Sequence, residues 1–134
     1  MFEIHHVAIL TYQPKNLADF YCRVLGLQPL KIHYDKEKRI RSVWLRLSPH
    51  SILMLERLDS LDTHGLNSAS SDTSSHQPGI HLIALSITKE QAKDLRLKIE
   101  QNGVCIVNES MHTIYFRDLD GNRIGLSVYP EVLD

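Results

Sequence analysis

Eight histidines, at positions 5, 6, 33, 50, 64, 76, 81 and 112, are the residues of this 134-residue chain best equipped for chemistry. Imidazole changes charge near neutral pH and is a common ligand of first-row metals, so each is a candidate acid, base or ligand. Their settings separate them. His5 and His6 lie in the apolar run Ile4-His5-His6-Val7-Ala8-Ile9, where strand alternation puts Ile4, His6 and Ala8 on one face and His5, Val7 and Ile9 on the other. The same alternation groups Ile52, Met54 and Glu56. His5, His33, His50, His64 and His76 read as surface or loop residues, and His112 as a solvent-facing residue at a strand start. Cys22 and Cys105 have no partner at short spacing and read as two reduced core thiols, not a disulfide or redox pair. Trp44 and Phe116 read as core. The acids of Asp118-Leu119-Asp120-Gly121 cap a turn, because the remaining oxygen ligands of a calcium loop are missing.

These residues need elements to hold them. Glu3 to Thr11 reads as a strand, and Leu17, Phe20, Tyr21, Val24 and Leu25 recur at helical spacing before Gly26, a C-cap. Strands follow over 28–35, 40–47 and 51–58, and a polar loop over 59–78. The order then repeats. Gly79 to Ile87 is a strand, and Thr88 with Gln91 forms a capping box for a helix ending at Asn102-Gly103. Strands at 104–108, 113–117 and 122–129 complete the second half. Ile80-His81-Leu82-Ile83-Ala84-Leu85 overlies Ile4-His5-His6-Val7-Ala8-Ile9, with Leu82 in the place of His6. The expectation is one domain over 1–134, built as module 1 (1–58), the polar loop (59–78) and module 2 (79–134), each module about fifty residues and able to enclose a cavity only when paired.

Composition excludes several classes. With 15 Lys+Arg against 16 Asp+Glu, the net charge of -1 lacks the basic footprint of nucleic-acid binding. Apolar runs such as Ile52 to Leu55 are far shorter than the ~20 residues that span a bilayer, and no basic-then-apolar leader is visible. The expectation is a cytoplasmic protein with no membrane or nucleic-acid partner.

The chain resembles the vicinal oxygen chelate superfamily, which includes glyoxalase I, extradiol dioxygenases, fosfomycin-resistance enzymes and bleomycin-resistance proteins. The matching residues are Ile4 to Ile9, Phe20-Tyr21 with Leu25-Gly26-Leu27, Leu53-Met54-Leu55-Glu56, and Tyr115 to Ile124. The resemblance implies an α+β fold of two βαβββ modules forming a paired, cup-shaped mixed sheet. It also implies metal positions at His6 and Glu56 in module 1 and at residues 82 and 125 in module 2. Those last two are Leu82 and Gly125, which supply no ligand. A third donor would be His81, by a register shift, or His112, or water or substrate oxygens would complete the coordination; without a shift, His81 faces away from the cavity. The resemblance further places a substrate-contacting tyrosine at Tyr115. Met54, Leu82, Gly125 and Tyr115 are then the expected substrate-binding residues, with Gly125 leaving room where a carboxylate would sit.

Two functions fit. In the first, the protein binds a small, moderately apolar molecule in a cavity whose metal site is degraded, as bleomycin-resistance proteins sequester a ligand without chemistry. In the second it is a metal-dependent lyase, isomerase or dioxygenase that keeps His6 and Glu56, recruits a nonstandard third ligand, and uses one Ni, Zn, Mn or Fe ion to polarise neighbouring substrate oxygens. The resemblance also implies a homodimer, with modules pairing within or between chains.

Overall fold

The structure is a computed structural model, and it describes residues 1–59 and 78–134. Most of the polar stretch expected as a loop, with His64 and His76, lies outside the described residues. The elements run β1 (His6–Thr11), α1 (Pro14–Leu25), β2 (Gln28–Tyr34), β3 (Ile40–Ser48), β4 (Ser51–Arg57), β5 (Ile83–Ser86), α2 (Lys89–Gln101), β6 (Ile106–Glu109), β7 (Thr113–Arg117) and β8 (Arg123–Ser127). Strand, helix and three strands occur twice. They build two four-stranded mixed sheets, ordered β1-β4-β3-β2 and β5-β8-β7-β6, in which the first and last strands of each half pair in parallel. Among the described residues no helix is long and apolar enough to cross a membrane.

The chain forms two compact units. Unit 1 holds residues 1–18 and 28–80, and unit 2 holds 19–27 and 81–134. In unit 1, Ile9 of β1, Val43 and Leu45 of β3, and Leu53 and Leu55 of β4 are buried and share one face of the sheet. Each buried side chain of this size stabilises the folded state by roughly 1.5–3 kcal/mol relative to exposure. Alternation leaves His6, Ala8 and Leu10, with Ser42, Trp44 and Arg46 and with Ile52, Met54 and Glu56, on the opposite, more open face, where Ser42 is nonetheless buried. A buried-edge ion cluster pins the β2–β3 turn to β4: Asp35 accepts from the Arg39 and Glu37 backbone N–H groups, and Arg57 Nη2 reaches Asp35 Oδ2 at 2.8 Å. The Arg39 backbone donor is the largest influence holding the Asp35 carboxyl down at about 2.

In unit 2 the second half of α1 packs into the core, with Phe20 6.4 Å from Phe116 between ring centroids. Its neighbour Tyr21 donates a 2.6 Å hydrogen bond to Asp118 Oδ2. Burial, then the Asp118 charge, raises the Tyr21 hydroxyl far above the ordinary phenol range. Asp118 in turn accepts from the Asp120 and Asn122 backbone N–H groups and from Asn122 Nδ2, closing the β7–β8 turn. The capping box at Thr88 forms as expected, and Gly26 ends α1 at φ 69°, where a side chain would be strained. Cys105 differs from the sequence expectation: it is exposed, two residues past Gly103 and just ahead of β6.

Candidate functional site

The open face of unit 1 carries His6 and Glu56, but the β1–β4 ladder holds them apart. His6 pairs with Ile52, and Glu56 pairs with Leu10, four positions along. At about 3.3 Å per residue this is roughly 13 Å along strands whose side chains stand perpendicular to the sheet. Two ligands of one ion at 2.0–2.2 Å must approach within about 4 Å of each other, so these two do not converge. The repeat explains the offset. Ala8 pairs with Met54 as its counterpart Ala84 pairs with Gly125, so Met54 is the first-unit equivalent of Gly125, while Glu56 matches Ser127. His6 instead turns to its neighbour: its Nδ1 lies 3.0 Å from His5 Nδ1, with the rings edge to face. Among the described residues, no three His, Cys, Asp or Glu side chains gather as a metal site.

Trp44 is not a core residue of unit 1. Val43 and Leu45 take the buried face, so alternation sends Trp44 to the open one, opposite Met54. Its ring packs against His33 at 4.6 Å between centroids, and the indole Nε1 and His33 Nε2 are both buried without a hydrogen-bond partner among the described residues.

In unit 2 the open face is built around Gly125. Tyr115 lies directly opposite it on the β7–β8 ladder. A Cβ at residue 125 would stand 3.2 Å from Thr113 Cγ2 and 3.3 Å from Tyr115 Cε1, so a side chain could start there only if the Tyr115 ring and the Thr113 methyl gave way by a few tenths of an ångström. Thr113 is fixed by its hydroxyl, which donates to Ser127 Oγ at 3.0 Å. Arg123 also lies against the Tyr115 ring, its guanidinium carbon 4.5 Å from the ring centroid. Arg123 Nη1 donates to His81 Nε2 at 2.8 Å. His81 therefore reaches Arg123 instead of pointing away, because it precedes β5 and lies outside the pairing that enforces alternation. Leu82, half-buried, also precedes β5. His112 is tied to a backbone carbonyl, its Nδ1 2.6 Å from Glu131 O.

Sequence reading missed Arg123. Its signal was available in the alternation of Arg123, Gly125 and Ser127 along β8, which gives these three one face and Ile124 and Leu126 the buried one.

The two repeated sheets with parallel outer pairings define the architecture, and comparison with known families agrees. Residues 3–126 match the Glyoxalase/Bleomycin resistance protein/Dioxygenase superfamily, and the chain belongs to it. Among solved structures, the fold is similar to a glyoxalase/dioxygenase from Nostoc punctiforme, with a TM-score of 0.69 and 18% identity over 92% of this chain and 88% of that one. It is similar to a mutant of the fosfomycin resistance protein FosX from Listeria monocytogenes, complexed with Mn(II) and 1S,2S-dihydroxypropylphosphonic acid, at a TM-score of 0.68 and 17% identity over 95% of this chain and 92% of that one. TioX from Micromonospora sp. ML1 is also similar, at 0.62 and 17% over 94% and 98%. No curated protein matches the chain in sequence.

Proposed function

We propose that the protein binds a small, moderately apolar molecule on the open sheet faces and does so without a divalent metal. The observation that carries this reading is the Tyr115 ring packed over Gly125, where a coordinating carboxylate would have to start. FosX shows that this fold can hold Mn(II). The donor set here does not fit such an ion, since Leu82 and Gly125 offer no ligand atom and the ladder separates His6 from Glu56. What the faces do offer is apolar and aromatic surface with a few polar groups, the composition of a small-molecule site. In unit 1 that surface is Ala8, Trp44 and Met54; in unit 2 it is Ala84 and Tyr115, with Leu82 just ahead of β5.

Untagged protein incubated with Mn, Ni, Zn or Fe and then desalted tests the reading. It should keep no stoichiometric metal, and should bind small aromatic probes saturably in the presence of a chelator. Trp44, the single tryptophan, reports binding on unit 1 by its emission, and the Tyr115 ring resonances report it on unit 2. One equivalent of retained metal, lost in both His6→Ala and Glu56→Ala, would sink the proposal and restore the metal-dependent enzyme.

A further inference from the structure

The guanidinium of Arg123 is a partly buried charge whose hydrogen-bond partner is an imidazole. Arginine has no acceptor atom, so His81 must accept through an unprotonated Nε2 and leaves the positive charge uncompensated. The bond to His81 uses Nη1, and the guanidinium carbon stands 4.5 Å from the Tyr115 ring centroid. That leaves the Nε–Nη2 edge, the edge able to grip an oxyanion with two parallel bonds. On that edge Nε is a buried donor with no acceptor among the described residues. Arg117 stands directly opposite Arg123 on the ladder, its Nη1 held at 2.8 Å by the Gly121 carbonyl. Like charges opposite each other on one face disfavour the sheet, and an anion would relieve both the repulsion and the orphaned donor. Beside the charge, the Tyr115 ring supplies an apolar wall.

We propose that Arg123 receives an oxyanionic group, a carboxylate, phosphonate or phosphate, on a small molecule whose apolar body lies along Tyr115. This rests on the small-molecule reading above and names the chemical class of the ligand.

The test titrates the intact protein with benzoate and phenylphosphonate, and with benzamide as the neutral counterpart, following the Arg123 Nε–H resonance and the Tyr115 ring by NMR. Both anions should move the Nε–H signal saturably and bind more tightly than benzamide. Removing a charge-assisted bond weakens binding by about tenfold or more, so Arg123→Gln should lose anion affinity on that scale while benzamide changes less than twofold. Arg123→Lys, which keeps the charge but not the fork, should retain part of the affinity. If Arg123→Gln disturbs the Tyr115 signals, the wild-type Nε–H response still decides. Equal binding of benzoate and benzamide overturns this proposal and leaves the small-molecule reading standing. Binding of neither overturns both.

Discussion

Gly125→Glu puts back the carboxylate that the second-unit position lacks, and its cost can be worked from the contacts. The new Cβ would meet Thr113 Cγ2 at 3.2 Å and Tyr115 ring carbons at 3.3 and 3.4 Å, so the ring or the methyl must give. Thr113 is held by its bond to Ser127 and is buried, which leaves the ring to move. Moving it by the few tenths of an ångström needed loosens the Arg123 contact, at a cost of at most about 0.5–1 kcal/mol at a partly exposed site. Overpacking adds roughly 1–3 kcal/mol. Against this, replacing a strand glycine recovers about 0.5–1 kcal/mol of backbone entropy. The net expectation is a loss of about 1–2 kcal/mol, or a melting temperature lower by roughly 4–8 °C for a chain of this size. Gly125→Ala, which adds only the Cβ, should also destabilise, but less. Urea unfolding of Gly125→Glu, Tyr115→Ala and the double variant closes a cycle: with the ring gone only the Thr113 contact at 3.2 Å remains, so the glutamate should cost about half as much, giving a coupling of about 0.5–1 kcal/mol. If Gly125→Glu is neutral or stabilising with Tyr115 in place, and the two changes add, the ring does not occupy the carboxylate's space.

Tyr21→Phe removes the one hydroxyl among the described residues that donates to Asp118, and should cost about 1–3 kcal/mol by denaturant unfolding, since the carboxylate is buried. Asp35 makes a pH-dependent contribution: its folded value, about 2, lies below 3.8, so the stabilisation is present above the higher value and lost as pH falls through the lower. The stability difference between wild type and Asp35→Asn should therefore hold from neutral pH to about 4 and close by about 2, and a difference that persists below that refutes the assignment. Thr88→Ala breaks the capping box of α2 and should lower stability by about 1 kcal/mol, with Thr88→Ser recovering most of it.

The elements and their order follow from local chemistry that the sequence carries openly: alternating strands, a helical stripe ended by Gly26, a capping box at Thr88, and a repeat that sets Ala8 over Ala84. From these the two-module α+β fold was legible, and with it the two strands that bring Tyr115 opposite Gly125. The ligand set was not. Whether His6 and Glu56 meet depends on the register between β1 and β4, and no property of either strand alone fixes how far one slides along the other. The same holds for Gly125, where sequence suggests room and the cross-strand neighbours Tyr115 and Thr113 make it tight. His81 escaped the alternation rule because β5 starts two residues later, and so it joined Arg123. Side-chain identity and local periodicity are written residue by residue, so the sequence determined which segments are strands and which of their residues share a face. Convergence of side chains from different strands is set by pairing and packing across the sheet, and that only the tertiary structure decided.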